Sequence, residues 1–227
     1  KPQTDKLRIC LDPKALNEAI RRPHLQMPTL DDITSRLAGA KYFSILDITH
    51  AYWNVQLDEQ SSLLTCFQTP YGRYCYLRLP FGLKCSGDIF QQKVTEIFEG
   101  LPGIQAIVDD TLIYGRTRAE HDQNLKAALN RAREKGIKLN PQKCVIGVTE
   151  VPFFGHTITD SGLKPDKSKI DAILQMTAPD SRAKLETFLG MVNYLSKFCP
   201  KLSEVTHPLR ILLKKDTEFV WDEPQNC

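Results

Sequence analysis

Three aspartates have the type and setting for hard-cation chemistry. Asp47 closes an aromatic and β-branched run, Tyr42-Phe-Ser-Ile-Leu, which follows Gly39 and reads as a strand ending in a carboxylate. Asp109 and Asp110 lie between two apolar arms within Ala106 to Tyr114, a pattern that reads as a tight hairpin with an Asp-Asp tip. Mg2+ prefers such oxygen ligands and keeps waters and substrate phosphates around it, so two or three protein carboxylates suffice. Two such ions about 3.5–4 Å apart steady the attacking and leaving oxygens of a phosphoryl transfer. The stretch between Asp47 and Asp109 holds enough secondary structure for the two carriers to lie side by side. An Asp-Asp at a hairpin tip is most often just a solvated turn. Spacing alone does not decide between them.

The elements that must carry these residues follow from the flanking pattern. Thr29 can cap a helix over Leu30 to Leu37, with Asp31 and Asp32 at its positive end. Residues 65–79 read as a hairpin, with Pro70 and Gly72 supplying the turn. A helix from Ser86 puts Phe90, Val94, Ile97, Phe98 and Leu101 on one face. Another, from Ala119 to Lys135, turns Leu125, Ala128, Leu129 and Ala132 inward and stops at Gly136. Strands are expected over Leu7 to Leu11, Cys144 to Val148 and Phe153 to Ile158. Helices alternating with antiparallel strands indicate an α+β fold rather than a doubly wound parallel sheet. After Gly162 only helices are expected: Asp166 to Met176, Ala183 to Phe198, and a third from near Pro208. A small all-helical unit thus follows the α+β unit, with the boundary near residues 157–165.

Composition bounds the function without choosing it. At 227 residues and 41% hydrophobic, the chain can bury a core as one large domain or two small ones. A net charge of +3 permits nucleic-acid binding without arguing for it, because a binding groove needs local positive charge. The 7 cysteines contain no Cys-x-x-Cys pair, so neither a disulfide framework nor a structural zinc site is expected, and reduced thiols point to an intracellular protein. No apolar run approaches the roughly 20 residues that span a bilayer. The chain opens on a charged stretch without an initiator Met, as a piece cut from something longer would.

The residues around the aspartates narrow the choice. Tyr42-Phe-Ser-Ile-Leu-Asp47-Ile-Thr-His-Ala-Tyr52-Trp-Asn-Val-Gln-Leu57 resembles the first catalytic motif of reverse transcriptases, in the version found in gypsy-class long-terminal-repeat retrotransposons and their retroviral relatives. Phe67-Gln-Thr-Pro-Tyr-Gly-Arg-Tyr, Leu77-Arg-Leu-Pro-Phe-Gly-Leu83 and Ile89-Phe-Gln91 are similar to the next blocks in order and spacing. Val108-Asp-Asp-Thr-Leu-Ile-Tyr-Gly115 is similar to the paired-aspartate motif. Phe154-Gly-His-Thr-Ile158, Gly162-Leu-Lys-Pro-Asp166 and Phe188-Leu-Gly-Met-Val-Asn-Tyr-Leu195 complete the series. Together they cover most of the chain.

The resemblance implies a right-hand polymerase fold with an antiparallel palm sheet, fingers and a small helical thumb. Residues 1–21 and 55–85 would be fingers, 22–54 and 86–157 palm, 158–202 thumb, and 203–227 a tether towards a ribonuclease H domain. It implies an RNA-directed DNA polymerase that extends a primer on an RNA or DNA template with deoxynucleoside triphosphates. Asp47, Asp109 and Asp110 would be the catalytic carboxylates, holding Mg2+, with Mn2+ the alternative ion. Lys1 and Arg8 would grip the incoming triphosphate, and Tyr52 would exclude a ribose 2′-hydroxyl. Phe81 and Gly82 would line the nucleotide pocket. Phe154 and Gly155 would hold the primer end, while Gly190, Asn193 and Tyr194 would track the minor groove of an A-like duplex. Leu185, Phe188 and Leu189 are better explained as core.

Two departures stand out. Ile107 occupies the place of the usual tyrosine two residues before Asp109, which lowers the expected fidelity, and Gly87 replaces a common proline. Phe219-Val-Trp221 resembles the lead-in to a ribonuclease H domain, so the parent is expected to be a polyprotein that also carries protease and integrase, replicating in cytoplasmic particles or the nucleus and binding no membrane. The alternative readings are a domesticated remnant that binds primer–template without efficient polymerisation, and a structural relic.

Overall fold

The computed structural model describes residues 9–23, 25–214, 217 and 219–221. Lys1 and Arg8 lie outside them, as does the start of the strand expected over Leu7 to Leu11; its described part, Ile9 to Leu11, is not strand. The chain divides into two compact units, one comprising residues 1–154 and 159–162 and the other residues 155–158 and 163–227.

The first unit begins with two short helices, α1 (Lys14–Ala19) and α2 (Leu30–Arg36). Thr29 starts α2 with a full capping box: its hydroxyl accepts from the Asp32 amide, and the Asp32 carboxylate accepts from the Thr29 amide. The Thr29 hydroxyl, which also donates to the Asp32 carboxylate at 2.6 Å, and then the Thr29 amide hold the Asp32 carboxyl below its usual range. Strand β1 (Tyr42–Asp47) leads into a 3-10 turn at Ala51–Asn54, then α3 (Glu59–Leu64) and a small hairpin of β2 (Phe67–Thr69) and β3 (Gly72–Tyr74). That hairpin is shorter than the pattern suggests. Leu77 and Leu79 leave it to pair instead with Leu57 and Val55. Helix α4 (Ser86–Phe98), strands β4 (Ile104–Ile107) and β5 (Asp110–Gly115), helix α5 (Arg118–Glu134) and strand β6 (Val145–Val148) follow.

These strands make one antiparallel sheet in the order β4-β5-β1-β6. Helices α4 and α5 cover it through a shared core of Leu46, Ile113, Phe90, Val94, Phe98, Ala128 and Ala132. Truncating a buried ring such as Phe90 to alanine would cost about 3–5 kcal/mol. The inward face of α5 differs from the pattern reading: Leu129 is 38% exposed, whereas His121 and Asn124 are buried. Their polarity is satisfied locally. Asn124 donates to the Tyr114 carbonyl at 2.9 Å, and His121 Nε2 meets the Ser44 hydroxyl at 2.8 Å.

A run of β7 (Glu150–Phe153), β8 (His156–Thr159) and β9 (Gly162–Pro165) follows β6. The strand expected over Phe153 to Ile158 is broken because Phe154 and Gly155 both adopt left-handed backbone, at φ 49° and 74°. The helical run starts at α6 (Lys167–Leu174) rather than directly after Gly162, since β9 intervenes. Helix α7 (Arg182–Asn193) gives way to a 3-10 turn at Tyr194–Lys197, and α8 (Leu202–Val205) and α9 (His207–Ile211) follow. Leu185, Leu189 and Leu212 form the core of the second unit, with Phe188, Leu209, Phe219 and Trp221 packed on it. No helix among the described residues is long and apolar enough to cross a membrane.

Candidate active site

Strand pairing brings the carboxylates together. Asp47, the last residue of β1, stands opposite Asp110, the first residue of β5. Directly paired residues on neighbouring strands project from the same face of the sheet. Beyond that pair the Ile48 amide donates to the Asp109 carbonyl at 2.9 Å, and the Asn140 amide donates to the Asp47 carbonyl at 2.9 Å. The hairpin tip is Val108-Asp109 rather than Asp-Asp: Asp110 already pairs with Ile107 inside the ladder. One carboxylate of the motif is therefore on the turn and the other on the strand.

Their charges interact. Burial, and then the neighbouring Asp47 and Asp109, push the Asp110 carboxyl above the usual carboxylate range, while Lys143 pulls it the other way. Lys143 Nζ lies 3.1 Å from Asp47 Oδ2. Among the described residues no three His, Cys, Asp or Glu side chains are grouped so that they could hold a metal ion as they stand. The donor set itself is oxygen only, and a bound cation would offset both the burial and the carboxylate repulsion that raise Asp110. That is the chemistry of a hard divalent ion.

The turn is strained and clamped. Val108 has φ 49°, a region that β-branched residues avoid and that costs of order 1–3 kcal/mol. Gln91, on α4 and 1% exposed, spans the turn with its carboxamide. Its Nε2 donates to the Ala106 carbonyl at 2.9 Å and its Oε1 accepts from the Val108 amide at 2.7 Å.

Next to the carboxylate end, the 3-10 turn after β1 presents an aromatic group. The Tyr52 ring lies 4.8 Å from Phe81 and 5.7 Å, edge-on, from Phe90. Trp53 meets Phe81 at 6.0 Å. Backbone contacts fix Phe81 and Gly82: the Leu11 amide donates to the Phe81 carbonyl at 2.9 Å, and Asn17 Nδ2 donates to the Gly82 carbonyl at 2.9 Å. Gly82 has φ 110°, and a Cβ there would sit 1.9 Å from the Leu11 carbonyl oxygen, so no other residue fits. Tyr52, Phe81 and Gly82 are thus brought together.

In the second unit, Tyr194 Oη donates to the Gly155 carbonyl at 2.6 Å and accepts from the Asp166 amide at 2.9 Å. Lys169 Nζ lies 4.1 Å from the centre of the Tyr194 ring, a cation–π distance. Gly190 and Asn193 are exposed on α7, three residues apart and so neighbours on its surface, beside the buried stripe of Leu185, Leu189 and Val192. Nothing lies within 4 Å of a Cβ built on Gly190. Phe154 is 49% exposed.

Sequence reasoning missed Lys143 and the role of Gln91. Lys143 gave no signal, because a lysine in a turn looks like any solvated charge. Gln91 did give one: it falls on the apolar stripe of Val94 and Phe98, where a polar residue needs a buried partner. Ser44, His121 and Asp122 also align in the order of a nucleophilic triad, with His121 Nδ1 2.8 Å from Asp122 Oδ1. Ser44 and His121 are fully buried, however, and the Ser44 oxygen accepts from the Gly147 amide at 2.9 Å. This network satisfies the bulge where β6 shifts register against β1.

Comparison with known proteins gives the family and the fold. The family model described as reverse transcriptase (RNA-dependent DNA polymerase) matches residues 1–158. The chain is 34% identical over 231 residues to the retrovirus-related Pol polyprotein from transposon 412 of Drosophila melanogaster, matching 100% of this chain and 19% of the polyprotein. It is 32% identical over 221 residues to the transposon Tf2-3 polyprotein of Schizosaccharomyces pombe, matching 96% of this chain and 17% of the polyprotein. It thus spans under a fifth of either polyprotein. The foamy viral protease–reverse transcriptase dRH in complex with double-stranded DNA superposes with a TM-score of 0.87 at 26% identity, covering 99% of this chain and 40% of that one. The same enzyme type in complex with an RNA/DNA hybrid gives 0.80 at 26% identity, covering 95% of this chain and 30% of that one. The fold is the right-hand polymerase fold. The family match covers more than half of the chain and the fold is in accord with it, so the chain belongs to the reverse transcriptase family.

Proposed function

We propose that this chain is the polymerase portion of an RNA-directed DNA polymerase, extending a primer with deoxynucleoside triphosphates. The observation that carries the reading is the register of β1 against β5, which sets Asp47 opposite Asp110 with Asp109 one residue away on the turn. In this reading the three carboxylates hold Mg2+ or Mn2+. The ions, when bound, activate the primer hydroxyl and neutralise the charge of the triphosphate and its leaving group. Asp47 and Asp109 are the principal ligands. Asp110, kept partly buried and above the usual carboxylate range, is the third.

The protein's own part is to position and to exclude. Tyr52, backed by Phe81 and Phe90, is the bulky wall that a ribose 2′-hydroxyl would strike. Phe81 and Gly82 border the nucleotide, and Lys1 and Arg8 grip its phosphates. Phe154 and Gly155 hold the primer end. Gly190, Asn193 and Tyr194 follow the minor groove of the template–primer duplex, which is read by shape. The occupants of the foamy viral structures, double-stranded DNA and an RNA/DNA hybrid, are the duplexes such a surface would take. Ribonuclease H, protease and integrase are the neighbours expected in a parent polyprotein.

Primer extension on an RNA template with Mg2+, comparing wild type with Asp109→Asn, tests the proposal. Extension by wild type and its loss in the variant are expected. Salt-sensitive duplex binding without extension by either protein would instead make the chain a binding module.

A further inference from the structure

We propose that Gln91 is the positioning residue for Asp109, setting the carboxylate by holding the turn beneath it; this rests on the polymerase reading above. Asp109 sits on the two-residue turn between β4 and β5, and that turn cannot rest on its own backbone preference. Its first residue, Val108, is β-branched yet has φ 49°. Such a conformation persists only when surrounding groups over-determine it.

The group that does so is the Gln91 carboxamide. It acts as a short piece of substitute backbone, donating to the Ala106 carbonyl before the turn and accepting from the Val108 amide within it. A third contact, Nε2 to Thr95 Oγ1 at 3.2 Å, fixes the amide plane from the same helix. The side chain is almost fully buried, so its rotamer is set by packing and its hydrogen-bonding groups have no water to turn to. The well-packed helix α4 thereby transmits its rigidity to a strained turn. The neighbouring Gln92 is exposed and bonds only along its own helix, to Glu96.

If this is the role of Gln91, its loss should act on ion binding through the conformation of residue 108, and a residue that accepts positive φ freely should compensate. Glycine is that residue. The experiment is a double-mutant cycle on the full chain with Gln91→Met, Val108→Gly and the pair, with Gln92→Met as control. Primer extension is titrated with Mg2+, and Mn2+ binding to the chain without nucleic acid is followed directly by electron paramagnetic resonance. Gln91→Met is expected to lower kcat at least tenfold and raise the half-saturating Mg2+ and Mn2+ concentrations about fivefold or more, with KM for the nucleotide moved less. Adding Val108→Gly should recover a substantial part of both losses, and Gln92→Met should change neither.

A double variant no better than Gln91→Met, or unchanged ion titrations beside a lowered melting temperature, would make Gln91 a packing residue and overturn the proposal. Should Gln91→Met fail to fold, the cycle is run with Gln91→Asn, which keeps the polarity but is too short to reach both partners. Failure of the polymerase reading looks different, since wild type then extends no primer. The Mn2+ arm still decides the role of Gln91 in that case.

Discussion

Lys143 reaches across 96 positions of chain to place its ammonium 3.1 Å from a carboxylate oxygen of Asp47. The contact comes from the turn before β6, whose Asn140 amide also binds the Asp47 backbone. The Lys143 side chain is 66% exposed and that of Asp47 14% exposed, so solvent screens the pair. Exposed pairs are worth about 0.2–1 kcal/mol. The contact matters more as competition for an Asp47 oxygen than as a source of stability. Lys143→Met should therefore tighten Mn2+ binding to the nucleic-acid-free chain, by up to about fivefold on that scale. Titration by electron paramagnetic resonance measures it, and weaker binding would sink the idea.

Asp110 gives a pH signature. Its folded-state carboxyl is raised, chiefly by burial and then by Asp47 and Asp109. A raised carboxyl binds its proton more tightly in the folded chain than in the unfolded one. Between the unfolded and folded pKa the folded state thus holds more protons, and stability falls as pH rises through that window. Without divalent ions, Asp110→Asn should remove this slope and melt higher than wild type at pH 7. The gain should be read as a rise in melting temperature that grows with pH across that window. The same substitution should abolish primer extension. A variant that melts lower, with the slope intact, would contradict the account.

Gly82→Ala should be among the most damaging single-methyl additions in the first unit. The new Cβ would meet the Leu11 carbonyl oxygen at 1.9 Å, on backbone at φ 110°. The segment carrying Leu11 must then withdraw, breaking its bond to Phe81 and unsettling the ring under Tyr52. The expected result is a KM for nucleotide raised at least tenfold. Gly136→Ala is a useful comparison, because it is strained at φ 68° but has nothing within 4 Å. If the two variants share the same KM, steric contact is not the cause.

Tyr194→Phe removes one hydroxyl that both donates to Gly155 and accepts from Asp166. At about 0.5–1.5 kcal/mol per bond, the second unit should lose roughly 1–3 kcal/mol in urea denaturation. Duplex affinity then separates two roles. A purely internal hydroxyl predicts a stability loss with duplex binding unchanged under conditions where the variant is folded.

Much of the sheet and the carboxylate strand was legible in the sequence, because a buried strand such as Tyr42–Asp47 and a capped helix such as Leu30–Arg36 carry their signals locally. The turn chemistry was not. Val108 in left-handed backbone contradicts its own propensity, so the pattern reads as an Asp-Asp tip where the turn is Val108-Asp109. Phe154 misled in the same way, since a left-handed phenylalanine breaks what reads as one continuous strand. Periodicity turns Leu129 inward because it cannot see that His121 and Asn124 have buried partners on Ser44 and Tyr114. Lys143 was invisible because its meaning lies in a contact between distant segments.

The order β4-β5-β1-β6 puts the two carboxylate strands in the middle of the sheet, each flanked by another strand on both sides. Edge strands fray first, whereas interior ladders open only when the surrounding unit opens. Amide hydrogens of Ile45, Leu46, Leu112 and Ile113 should accordingly be the slowest in the first unit to exchange with deuterated solvent, and those of the β2–β3 hairpin among the fastest. The carboxylate-bearing end is then anchored to the longest-lived scaffold in the unit, and transient opening at the rim leaves Asp47 and Asp110 in register.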